Sequence, residues 1–240
     1  MAEHKISLVI PAYNEEKYIG ECLDSVFDNS NNLLSEIIVV DNASTDNTKL
    51  IAEKRKNVKV ICELEKGVMK ARQRGYLEST GDIVVFLDAD TKMTKGWLDN
   101  IVKVFDEDED ISCISGPYIY YDLPKYVQYL AKVYTYVLIM PAYWVMGYMS
   151  IFGNFAIRRE VLEKMNGLDV SIDFYGDDVN TARRASKFGK VKFIPDHCVY
   201  SSGRRIMYQG MVDISKEYIT NFLSEAILHK PFSTKHKDFR

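Results

Sequence analysis

This chain of 240 residues has no glycine-rich loop after its first apolar run, no paired cysteine motif and almost no net charge. Each absence removes a class of function. A net charge of −3 gives no electrostatic basis for holding nucleic acid. Cys22, Cys62, Cys113 and Cys198 are too scattered to form C-x-x-C pairs. Three of them lie in or beside apolar segments, so buried free thiols in a reducing compartment are expected. The N-terminus enters a strand pattern almost at once without a signal-peptide pattern, and a cytoplasmic location is expected. There is no repeat, low-complexity run or obvious linker. An apolar content of 47% can build a core, and the length suits one domain over 1–240.

Charge is also missing from Val133 to Ile157. That length could span a bilayer. However, Pro141, Gly147, Gly153 and Asn154 interrupt the run. Tyr134, Tyr136, Tyr143, Trp144 and Tyr148 are residues of a membrane interface rather than of hydrocarbon. The pattern favours a helical insert over a span. Such an insert would be buried, acceptor-facing or laid on a membrane surface through 126–150.

What is present alternates. Strands are predicted over Ile6–Ile10, Glu36–Val40, Val58–Cys62 and Ile83–Leu87. Helices are predicted over Glu15–Phe27, Asp46–Lys54, Val68–Ser79 and Trp97–Phe105. This order implies a parallel sheet flanked by helices, with right-handed crossovers. Residues 1–110 read as the nucleotide-binding half and 111–208 as the acceptor half, with a C-terminal helix and tail over 209–240. In the second half, Ile111–Tyr121 is strand-like. Pro124–Met149 reads as helix broken near Pro141. Ile151–Ile157 and Val191–Ile194 read as strands, Val179–Phe188 as helix and Gln209–Leu228 as an amphipathic helix.

The most informative stretch runs from Gly81 to Thr91. A continuous apolar run, Ile83–Leu87, ends in Asp88-Ala89-Asp90, as expected of a strand buried on both faces with carboxylates at its end. Open α/β sheets bind their ligands at that edge, and paired carboxylates can share a hard divalent cation with substrate phosphates. Pro11 is expected to end the first strand's pairing. Beyond it, Tyr13 could stack on a base and Glu15 could bond a base or ribose. Asp41 ends the second strand, where an Asx turn or helix cap would look the same. Arg72 could reach a diphosphate or simply sit on a solvated helix face.

Together, five segments resemble the family 2 nucleotide-sugar glycosyltransferases. They are Ile10–Glu15, Val40–Asp46, Leu87–Asp90, Gly153–Arg158 and Gly176–Asp178, the last followed by Arg183 and Arg184. The resemblance extends over Ile6 to about Arg205. It implies a GT-A fold and inverting transfer from a nucleoside-diphosphate sugar to a hydroxyl or phosphate acceptor, either a saccharide or a lipid-linked molecule. It puts Glu15 and Asp41 on the nucleoside, with Pro11, Ala12, Tyr13 and Ala89 lining the donor and Arg72 near the diphosphate. Asp90 would bind Mn²⁺ or Mg²⁺. Asp88 would hold ribose or sugar and share the metal. By its place after a strand, His197 could be a further ligand or a structural histidine. Arg204 and Arg205, after a flexible Ser201–Gly203, could fold over the diphosphate as a lid, though a solvated basic turn would look the same.

Inversion needs a base on the face away from the leaving group. Asp178 is the first candidate and Asp177 the second. Acids at a helix N-terminus also serve as simple caps. The family usually carries Glu-Asp at this point and an Asn before Gly67; this chain has Asp-Asp and Lys66. Two other classes fit the sequence less well. A nucleotidyltransferase would carry a basic, glycine-rich loop where this chain has Pro11–Glu15. A catalytically inactive nucleotide-sugar-binding module would have no need of Asp88, Asp90 and Asp178.

Overall fold

The computed structural model describes residues 4–172, 176–210, 213–217, 220 and 224. Seven strands form one sheet in the order β3-β2-β1-β4-β8-β6-β9. They are β1 (Ile6–Ala12), β2 (Leu34–Asp41), β3 (Val58–Cys62), β4 (Ile83–Leu87), β6 (Ile111–Ser115), β8 (Asn154–Arg158) and β9 (Lys190–Phe193). Pairing is parallel except around β8, which runs antiparallel to both β4 and β6. A smaller sheet joins β5 (Thr91–Lys92), β10 (Val199–Ser201) and β7 (Tyr118–Tyr120), with β10 in the middle.

Alternation along the strands divides the core between the two faces of the large sheet. Ile6, Leu8, Ile10, Ile83, Val85 and Leu87 face one side with α1 (Ile19–Asn29) and α4 (Trp97–Glu107). Val9, Ile38, Val40, Val84 and Phe86 face the other with α3 (Val68–Glu78), α7 (Arg159–Lys164) and α8 (Asp177–Ala185). Helix α4 buries Trp97, Leu98, Ile101, Val104 and Phe105, a stripe at helical spacing. All five residues of β4 are buried, as its unbroken apolar run requires.

Two boundaries differ from the sequence expectation for physical reasons. Pro11 does not end strand pairing: β1 stays in register with β2 through Pro11 and Ala12, although its pairing with β4 stops at Val9. The Ala12 carbonyl accepts from Asn42 N–H on the β2 side at 2.8 Å. By alternation Pro11 turns its nitrogen toward β4, where no donor is needed. The first helix starts at Ile19 rather than Glu15. The preceding loop is tied instead to the turn before α2 (Thr48–Glu53), with Glu15 N–H donating to Thr48 Oγ1 and Glu16 N–H to Asp46. Phe27, expected on the buried face of α1, is 40% exposed.

The uncharged segment forms α5 (Lys125–Tyr134), a π-helical turn over Thr135–Ile139 and α6 (Met140–Met146). Pro141 does not break it. The proline lies in the first turn of α6, and Met140 N–H reaches back to the Thr135 carbonyl. A π turn is one of the few ways a helix absorbs such an irregularity. The insert is not buried: Tyr126, Tyr129, Tyr136, Val137, Trp144 and Val145 are all exposed. Among the described residues no helix is long and apolar enough to cross a membrane. The helix expected over 209–228 lies largely outside the described residues.

All four cysteines are free; Cys22 and Cys113 are buried, but Cys62, expected inside, is exposed on the edge strand β3. Helix α3 approaches the sheet closely at Gly75. A Cβ there would fall inside Val9 Cγ1 and 3.1 Å from Val40 Cγ2. Gly75→Ala should therefore lower stability by about 1–3 kcal/mol, measured by denaturant unfolding.

Candidate active site

The sheet gathers its polar groups where β1, β2 and β4 end. Asp41 is 6% exposed, and its buried Oδ1 has no hydrogen-bond partner. An unsatisfied buried carboxylate oxygen is costly in an empty protein and points to a ligand group. Beside it, the Asn42 side chain donates to the Glu63 and Glu65 carbonyls and accepts from Gly67 N–H, fixing the loop before α3. From that loop Lys66 reaches Tyr13, its Nζ 2.8 Å from Oη and 4.6 Å from the ring centroid. Pro11 and Ala12 are buried within β1, and Ala89 packs into the core below the cleft.

The acid pair after β4 has two different environments. Asp88 is held by Arg72 at 2.9 Å through Oδ1 and by the Tyr118 hydroxyl at 3.3 Å through Oδ2. Asp90 sits 3.0 Å from Arg204. The turn between the two is closed by Thr91 N–H donating to the Asp88 carbonyl, and Ser202 N–H donates to the Asp90 carbonyl. Burial pushes the Tyr118 hydroxyl well above its ordinary pKa, so it stays a neutral donor.

Arg72 does not lie on a solvated face. It is buried, packs 4.3 Å over the Phe152 ring, and its other arm holds Asp177 at 2.9 Å. Burial works against its charge, but Asp88 and Asp177 overcome this and raise its pKa. Asp177 and Asp178 open α8 after Gly176, which adopts the left-handed conformation at φ 88°. Phe174 and Tyr175, which precede that glycine, lie outside the described residues. Asp178 Oδ1 accepts from Val179 N–H at 2.8 Å, and its carbonyl accepts from Ser150. Burial, then the neighbouring Asp177, pushes Asp178 up to about 7. Burial also raises Asp177, against the pull of Arg72.

His197 is held away from this arrangement. Its ring stacks on Trp97 with centroids 5.5 Å apart, and Nδ1 lies 3.0 Å from the Asn100 amide. Burial lowers its pKa to about 4, so it is neutral. Among the described residues no three His, Cys, Asp or Glu side chains cluster as a metal site. The expected set of Asp88, Asp90 and His197 is therefore not assembled. The Ser201–Gly203 segment, expected to be flexible, is tethered. Ser201 ends β10, while Ser202 Oγ and Gly203 N–H both donate to Asp122 at 2.6 Å. Arg204 then reaches Glu15 and Asp90. Tyr118 and Asp122 carried no sequence signal, because each acquires its place only through the fold.

Residues 7–165 match the family model described as Glycosyl transferase family 2. The chain belongs to this family. It is 28% identical, over 91% of its length, to an uncharacterized glycosyltransferase of Nostoc sp., 76% of which is covered. It is 29% identical, over 66% of its length, to a dolichol-phosphate mannosyltransferase of Pyrococcus furiosus, of which 47% is covered. Its fold matches a mannosyltransferase of Pyrobaculum calidifontis, solved with GDP-Man and Mn²⁺, at a TM-score of 0.72 and 23% identity, covering 95% of this chain and 65% of the other. The chain thus spans about half of the Pyrococcus relative. The GT-A architecture expected from the sequence is the one observed.

Arg72 is the buried cation between two carboxylates, and breaking such a contact leaves charge uncompensated. Arg72→Met should cost about 3 kcal/mol in denaturant unfolding at neutral pH. Arg72→Lys, which keeps the charge but not the two-armed fork, should cost less.

Proposed function

We propose that this glycosyltransferase moves a sugar from a nucleoside-diphosphate donor with inversion, in one displacement, using Asp178 as the base and Asp177 as its partner. The donor would lie over the ends of β1, β2 and β4. Asp41 would face the nucleoside, Tyr13 the base and Asp88 the ribose or sugar. The observation that carries the reading is the chain Asp88–Arg72–Asp177, which links the donor edge to the acid pair through two contacts of 2.9 Å. Asp178, next in sequence, has a pKa raised to about 7, suited to accepting a proton near neutrality.

The donor set fits a divalent cation that arrives largely on phosphate oxygens. Asp88 is engaged on both oxygens, by Arg72 and Tyr118, whereas Arg204 meets Asp90 on Oδ2, so Asp90 is the carboxylate assigned to hold Mn²⁺ or Mg²⁺ with the diphosphate and water. Such an ion would stabilise the charge that develops on the leaving diphosphate. Asp88, oriented from both sides, would fix the sugar. Asp178 would take the acceptor proton.

For the acceptor we favour a lipid-linked hydroxyl or phosphate met at the cytoplasmic membrane face. The exposed Tyr126, Tyr129, Tyr136 and Trp144 on α5, the π turn and α6 support that choice. So does the lack of any acid between Asp122 and Glu160, since Lys125 and Lys132 would then meet anionic headgroups unopposed. Flotation with vesicles of anionic phospholipid should carry the protein to the top fraction. Trp144→Ser with Tyr129→Ser should leave it at the bottom.

Donor turnover should fall about tenfold per pH unit below about 7, where Asp178 holds its proton, and level off above. Asp178→Asn should keep donor binding and lose roughly 10²–10⁴-fold in transfer. The same substitution has a stability signature with a defined sign. Between the usual aspartate range and about 7 the folded chain retains a proton that the unfolded chain has released. The stability contributed by this group therefore falls as pH rises through that window. Thermal unfolding of the wild-type chain should lose ground to Asp178→Asn as pH rises from 4 to 8. Equal turnover in the two proteins would move the base elsewhere.

A further inference from the structure

Glu15 was expected to meet the nucleoside, yet it is 4% exposed and turned away from solvent. Arg204 binds it with both arms, Nη1 to Oε2 at 2.8 Å and Nη2 to Oε1 at 2.5 Å. The same Nη2 lies 3.0 Å from Asp90 Oδ2, and the guanidinium carbon is 4.7 Å from the centroid of the Tyr18 ring. Asp122 fixes the chain immediately before it, through Ser202 and Gly203. Arg204 thus begins helix α9 (Arg204–Gln209) with its head group held on three sides. Arg204 also lines a cavity of about 280 Å³ with Glu16, Lys17, Tyr18, Asp46 and Tyr208.

We propose that Arg204 is a resident cation of the donor cleft. Glu15 holds it against Asp90 in the empty protein, and the donor diphosphate takes it over when a divalent ion claims Asp90. Glu15 is then a positioning residue that acts through Arg204 rather than a contact to base or ribose. This inference relies on the donor cleft proposed above. It adds that the carboxylate assigned to the metal is already neutralised by the chain's own guanidinium. Arg204 holds Asp90 through Oδ2, and an ion on the same carboxylate reduces its charge and repels the guanidinium, so the Arg204–Asp90 contact weakens as the ion binds. A guanidinium fork matches phosphate oxygens as well as it matches a carboxylate, so the displaced arm has an acceptor once a diphosphate is present. Bidentate pairing with Glu15 keeps it within reach during the exchange.

The first test uses Mn²⁺ alone, followed by the loss of its free-ion paramagnetic signal. Arg204→Gln should bind Mn²⁺ roughly tenfold more tightly than the wild-type chain, because a charged hydrogen bond no longer competes for Asp90. Arg204→Lys should fall between them, and adding Asp90→Asn to Arg204→Gln should abolish the gain. Unchanged Mn²⁺ affinity in Arg204→Gln overturns the proposal. The second test compares UDP and GDP with uridine and guanosine. Glu15→Gln should weaken the diphosphates about tenfold and the bare nucleosides not at all. It should cause no further loss in an Arg204→Gln background. Equal weakening of nucleosides and diphosphates would return Glu15 to the nucleoside and overturn the positioning role. If neither UDP nor GDP binds the wild-type chain, the donor-cleft reading itself fails, while the Mn²⁺ series still decides whether Arg204 competes for Asp90. Melting curves for each variant separate these effects from misfolding.

Discussion

A single buried guanidinium ties the two halves of the cleft together. Arg72 comes from α3 in the first half of the chain, and Asp177 comes from a helix 105 residues further on. Between them the guanidinium also orients Asp88, at the end of the central strand. A desolvated positive charge needs compensation, and here it comes from carboxylates of both halves. The position of Asp177 and Asp178 on α8 is therefore not independent of the end of β4. The Phe152 ring beneath the guanidinium adds a further constraint from the loop before β8.

The small sheet works alongside this bridge. Strand β5 directly follows the acid pair, and β10 leads into the Arg204 segment; the two are paired through Thr91–Ser201 and Lys92–Tyr200. Asp90 and Arg204 thus sit on backbone segments already joined by a ladder. Their side-chain contact is set by this pairing and by Asp122, rather than by chance encounter of a loose tail.

Much of this was legible in the sequence, where physics is local. Val58–Cys62 and Ile83–Leu87 read as strands and are strands with those bounds, because short apolar runs between turns leave little choice. The family model supports the resemblance carried by the motifs, and the observed sheet has the expected mostly parallel order. Non-local features were not legible. The apolar run of β8 looks the same whichever way it pairs, so its antiparallel sense was hidden. Pro11 looked like a terminator because the side to which its nitrogen turns depends on β4. Arg204 and Glu15 are 189 residues apart, and no spacing rule joins them. Helix start signals at Glu15 were outweighed by tertiary bonds to Asp46 and Thr48.

Strand β3 offers something practical. Cys62 is exposed at the end of that strand, directly in register with Asp41. Burial pushes the other three thiols, Cys22, Cys113 and Cys198, above their ordinary pKa and away from reactivity. The native chain therefore carries a selectively addressable sulfur next to Asp41. A fluorophore or spin label attached there would report occupancy of the cleft with no engineered cysteine and no deletion of the others.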